Sequence, residues 1–94
     1  MARSSSDGKK RVKFEIKAES GKKVFVAGTL NEWKSNDKAM KEKGKSGVYS
    51  TTVLLPKGRC EYKFIIDGVW CVDPECPEWV PNNHGTLNSV ISVE

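Results

Sequence analysis

Apolar side chains recur at every second position in two stretches of this chain. Val12, Phe14, Ile16 and Ala18 alternate with Lys13, Glu15, Lys17 and Glu19. Cys60, Tyr62, Phe64 and Ile66 fall on one phase, with Arg59, Glu61 and Lys63 on the other. A period of two places the apolar set on one face of an extended strand, so each segment reads as a strand with one buried side. Turn signals cut the chain at short intervals: Ser20-Gly21-Lys22, Pro56-Lys57-Gly58 and Asp67-Gly68. Asp-Gly between two β-rich runs is a hairpin signal, because a type I′ turn needs positive φ at both central residues.

Four further segments complete the pattern. Val24 to Ala27 is a short apolar strand closed by Gly28, and Val48 to Leu55 is rich in β-branched residues. Val69 to Val72 returns from the Asp-Gly turn, and Leu87 to Val93 ends the chain as a strand. Thr29 to Ser46 reads as loop. Residues 73–85 read as irregular, because Pro74, Pro77 and Pro81 cannot donate to a central ladder. Six strands and no helical pattern of useful length predict an all-β fold, an immunoglobulin-like β-sandwich. Phe14, Phe25, Phe64 and Tyr62 are its expected aromatic core. Residues 1–11 are expected to form a flexible polar tail and residues 12–94 the folded module.

At 94 residues the chain has room for one core and little else, which argues against an enclosed catalytic cleft. No apolar run approaches the roughly 20 residues of a membrane span, and the N-terminus has no apolar signal-peptide region. Cytoplasmic placement is the expectation. Cys60, Cys71 and Cys76 are odd in number and are expected as free thiols. Together with His84 they lack zinc-knuckle spacing, so no metal or cofactor is expected. The net charge of +4 draws on Lys9, Lys10 and Arg11 and on Lys34, Lys38, Lys41, Lys43 and Lys45. Such runs are usually solvated surface, but they leave nucleic acid as an alternative ligand.

Trp33 and Trp70 fit the apolar core phase of the strands less well. One follows Asn31-Glu32 in a polar loop, and the other lies two positions past Gly68. Each can cap the core or form an exposed binding surface. Indole suits a pyranose, because the negative ring face meets the C–H face of the sugar while both lose apolar area to water. Lys63, Asn82, Asn83, Thr86 and Asn88 offer hydrogen bonds to hydroxyls. Catalysis is not expected. Glycoside hydrolysis needs two carboxylates at fixed separation, and no G-x-S-x-G, P-loop or H-E-x-x-H motif is present.

Three blocks in order carry a resemblance: VFVAGTLNEW (24–33), EYKFIIDGVW (61–70) followed by Asp73-Pro74, and GTLNSVISV (85–93). They resemble the glycogen-binding domain of AMP-activated protein kinase β subunits, within carbohydrate-binding module family 48. The resemblance covers about residues 12–94 and implies an immunoglobulin-like sandwich that binds α-1,4-glucans such as glycogen, maltooligosaccharides and cyclodextrin. It implies no catalysis and a parent protein, a kinase or another enzyme, that is carried to glucan. The implied carbohydrate-binding residues are Trp33, Lys63, Trp70, Thr86 and Asn88. His84 stands where the kinase family has a leucine that pushes into the ring of a bound cyclic glucan. Ser89 stands where a second Asn is common, and Leu30 where the family often has Phe. Two alternatives are a nucleic-acid-binding module and a protein-interaction module with both tryptophans under a partner.

Overall fold

The most heavily paired strand of the computed structural model, which describes residues 9–94, is β5 (Gly58–Ile66). Its apolar phase points inward as expected: Cys60, Tyr62 and Phe64 are buried and Ile66 packs against the same core. One edge of β5 pairs antiparallel with β2 (Val24–Gly28) over residues 62–66. The other edge is shared. β8 (Leu87–Val93) pairs with residues 58–62, and the short β6 (Val69–Cys71) pairs with 64–66. Ile66 lies directly opposite Val69, with Asp67 and Gly68 between them at φ 49° and 84°. That is the two-residue turn expected of Asp-Gly.

The remaining strands complete the sandwich. β1 (Lys9–Lys17) pairs along its whole length with β4 (Val48–Pro56). β3 (Lys38–Glu42) joins the layers, with residues 38–40 pairing with β2 and Lys41 and Glu42 with β4. β7 (Trp79–Pro81) borders β8. Among the described residues all eight strands pair antiparallel, along the path β1-β4-β3-β2-β5-β8-β7 with β6 beside β5. Among the described residues there is no helix. The fold is an immunoglobulin-like β-sandwich curled from one continuous sheet.

The core lies between the layers. Tyr62 packs edge-on against Phe14 at 4.8 Å and Phe64 at 5.7 Å between ring centroids, and Ile16, Val24, Val26, Met40, Tyr49 and Leu55 surround them. Burial pushes the Tyr62 phenol well above its ordinary range, assisted by its 2.7 Å hydrogen bond to Asp73 Oδ2. Asp73 anchors the segment after β6. Its N–H donates to Ser89 Oγ at 2.8 Å, its Oδ1 accepts from Glu75 N–H, and its carbonyl accepts from the Trp79 indole. The 73–85 segment is therefore tied down at its start and carries a strand.

The structure corrects four expectations. β3 and β7 lie in segments read as loop. β3 has little β-propensity and one buried side chain, Met40, and its existence rests on partners at both edges. β7 includes Pro81, which is tolerated because the strand ends the sheet. Phe25 is half-buried and outside the core, because its register opposite Ile65 puts it on the outward phase. β1 begins at Lys9, so Lys9, Lys10 and Arg11 belong to a strand; residues 1–8 of the expected tail lie outside the described residues. The three cysteines are free.

A candidate carbohydrate cleft on the outer face

Two strands and two turns meet on the outward face of β5. Glu61 and Lys63 stand on the phase opposite Tyr62, so their side chains leave the core. Trp70, directly opposite Ile65 on β6, shares that outward phase and keeps 42% of its surface exposed. The β2–β3 loop brings Trp33, and the turn joining β7 to β8 brings Asn82, Asn83, His84 and Thr86. Together they line an open cleft of about 840 Å³. All six residues singled out for a sugar site, Trp33, Lys63, Trp70, His84, Thr86 and Asn88, border it. Neither tryptophan belongs to the core cluster, so neither caps it.

Trp33 is presented by a strained loop. Glu32 and Trp33 both hold left-handed backbone, at φ 59° and 62°. For bulky side chains this conformation is costly and persists only where the surroundings impose it. Asn31 imposes it. Its Oδ1 accepts from Gly28 N–H at 3.1 Å, its Nδ2 donates to the Lys34 carbonyl at 3.1 Å, and Trp33 N–H closes back on Gly28 O at 2.9 Å. Gly28 has no room for a side chain, because a Cβ there would collide with the Glu61 carbonyl.

The polar wall is one connected network that starts and ends on β5. Asn88 Nδ2 donates to Glu61 Oε1 at 3.0 Å, and Asn82 Nδ2 donates to Asn88 Oδ1 at 2.8 Å and to Thr86 Oγ1 at 2.8 Å. Lys63 Nζ donates to the same Thr86 oxygen at 3.1 Å. Asn82 Oδ1 accepts from the N–H groups of His84 and Thr86, which shapes the turn. Proton directions follow. Thr86 Oγ1 already accepts two hydrogen bonds, so its hydroxyl hydrogen is free to point at a ligand. Lys63 keeps donors in reserve. Asn88 is 5% exposed with both ends of its amide engaged, so it braces the wall more than it meets solvent.

Thr29 and Glu61 also line the cleft and were not singled out from sequence. Glu61 reads there as an ordinary outward strand residue, and only the fold sets it against Asn88. Trp79 is 44% exposed on β7 but outside the cleft, its indole held by Asp73. Glu61 is the one carboxylate among the described residues that line the cleft.

An antiparallel sandwich with an open, indole-flanked polar cleft on its outer face defines a class of small binding module. A family model described as the glycogen recognition site of AMP-activated protein kinase matches residues 10–94, and the chain belongs to that family: it is a carbohydrate-binding module. It is 35% identical over 77 residues to 5'-AMP-activated protein kinase subunit beta-2 of Mus musculus, covering 82% of this chain and 27% of that protein. It is 32% identical over 74 residues to 5'-AMP-activated protein kinase subunit beta-1 of Sus scrofa, covering 79% of this chain and 57% of that one. Protein FLOURY ENDOSPERM 6, chloroplastic, of Oryza sativa subsp. japonica is 31% identical over 83 residues, covering 88% of this chain and 15% of its own length. The chain thus spans about a quarter of the beta-2 subunit it matches. Enterochelin esterase from Shigella flexneri shares the fold, with TM-score 0.74 at 17% identity over 88% of this chain and 30% of that one.

Proposed function

We propose that this module binds α-1,4-linked glucans, such as glycogen, maltooligosaccharides and cyclodextrin, in the Trp33–Trp70 cleft, and that it catalyses no reaction. The observation that carries this reading is the convergence of residues 33, 63, 70, 84 and 86 on one open cleft, with the buried Asn88 bracing its wall. Trp70 offers an exposed indole face for a pyranose, and Trp33 stands at the same cleft in an imposed backbone conformation. The free Thr86 hydroxyl and the Lys63 ammonium are donors for sugar oxygens. A single lining carboxylate, already engaged by Asn88, does not supply the pair that glycosidic cleavage needs.

The parent role belongs to the same proposal. A glucan polymer presents many copies of one weak site, so a module of this kind concentrates whatever is attached to it. The named relatives make a kinase complex the first candidate cargo.

Calorimetric and NMR titration with maltoheptaose tests the reading. Trp70→Ala is expected to abolish measurable binding while the domain stays folded, and Trp79→Ala, outside the cleft, to bind like the parent. Equal binding by Trp70→Ala, or no binding by the parent, would sink the assignment.

A further inference from the structure

The far side of the molecule carries a second surface that the glucan reading does not use. β1 pairs with β4 on one edge and begins the sheet path, so its other edge has no strand partner among the described residues. Ala18 N–H donates to Gly47 O in the same register, which fixes the alternation. Even-numbered residues of β1 bond toward β4, and the N–H and C=O groups of Lys9, Arg11, Lys13, Glu15 and Lys17 point outward. These five side chains are exposed. A groove of about 570 Å³ lies beside this edge. It is lined by residues 13–17 and by Asp73, Pro74 and Glu75, together with Tyr62 and Ile91.

From these features we infer that β1 is a docking edge for an extended acidic segment of a partner protein, added as a further antiparallel strand. The free backbone groups supply the ladder. The incoming strand would turn alternate side chains toward the groove beside Phe14 and Ile16, where apolar residues fit and the carboxylates of Asp73 and Glu75 disfavour acidic ones. Its other side chains would stand beside Lys9, Arg11, Lys13, Glu15 and Lys17, four cations and one carboxylate, where acidic residues are favoured at every position but the one opposite Glu15. The segment is therefore one that alternates apolar and acidic residues. A second copy of this chain is disfavoured, because it would set one row of four cations and a single carboxylate, Glu15, against another of the same net sign. Single-stranded nucleic acid is disfavoured because it needs exposed aromatic rings among the cations, and the ring of β1, Phe14, is 3% exposed.

The probe is a synthetic peptide of about nine residues, the length of β1, alternating Asp or Glu with Val or Ile. The expected result is saturable binding to the whole chain. The amides of Arg11, Lys13, Glu15 and Lys17 should shift and exchange more slowly, while those of Val12, Phe14 and Ile16, already paired, change little. The double variant Lys13→Glu/Lys17→Glu should lose at least about tenfold in affinity while keeping its melting temperature and its maltoheptaose binding. Four results would overturn the inference: silent odd-numbered amides, equal binding of a Lys/Val peptide, an oligonucleotide shifting these amides where the acidic peptide does not, or self-association through β1. Maltoheptaose binding is read separately, so failure at β1 leaves the glucan reading intact and the reverse also holds.

Discussion

A single side chain, Asn31, decides how Trp33 is presented. Its amide spans the loop from Gly28 to Lys34 and holds two non-glycine residues in left-handed backbone. Asn31→Ala removes both bonds and lets Glu32 and Trp33 relax. The strain is stored in the loop and not in the core, so the cost should fall on binding. Maltoheptaose affinity should drop about tenfold, which corresponds to roughly 1.4 kcal/mol, while thermal melts report a fold still intact. Unchanged affinity would mean that the loop keeps its shape without the clamp. A resemblance names Trp33, but no periodicity reveals what Asn31 does. Its partners are backbone atoms that only a folded loop brings within reach. Glu61 was hidden for a similar reason, since an outward strand position is ordinarily solvated surface.

Among the elements, the β5–β6 hairpin couples the cleft to the opposite turn. Asp67 at its tip accepts from Lys23 N–H at 2.9 Å and pairs with Lys22 Nζ at 3.2 Å. The Lys23 N–H bond first, then the hydrogen bond from the Lys22 ammonium, holds the Asp67 carboxyl below its ordinary value of 3.8. Glu42 on β3 is likewise lowered from 4.5, first by Ser20 and then by the Gly47 backbone N–H. A carboxylate whose folded pKa is depressed adds stability above its unfolded pKa and loses it as pH falls through the folded value. Melting temperature should therefore hold at neutral pH and decline below about pH 4. Asp67→Asn keeps an acceptor for Lys23 and tolerates the positive φ, but it loses the charge. It should be less stable than the parent at neutral pH, with the difference shrinking in acid. A constant difference across that range would remove Asp67 from the account. β3 and β7 show how elements escape a sequence reading: one has a single buried side chain, and the other is short and contains proline.

At the scale of the whole molecule, the net charge of +4 is distributed away from the cleft. Lysines crowd β1 and the region 34–45, whereas Lys63 is the one Lys or Arg among the described residues that line the cleft. A neutral glucan bound there displaces no condensed counterions. Its affinity should therefore change by less than about twofold between roughly 50 and 500 mM salt, measured by calorimetry. Peptide binding at β1 should weaken over the same range, because its acidic side chains meet exposed cations. A steep salt dependence for maltoheptaose would show that the lysines outside the cleft take part.

Period-two alternation was enough to determine the faces of β1 and β5, because a strand has only two sides and water selects between them. Asp67-Gly68 was enough to determine the hairpin, because few residue pairs accept positive φ twice in succession. Tertiary structure decided the rest. β3 exists because strands on both sides offer it hydrogen bonds. Phe25 faces outward because its register opposite Ile65 outweighs its apolar character. Asp73 is buried because Tyr62, Ser89 and Trp79 converge on it from three parts of the chain. The cleft itself belongs to no segment. It forms where the outward faces of β5 and β6 meet two turns that are distant in sequence, and that meeting follows from how the sheet curls.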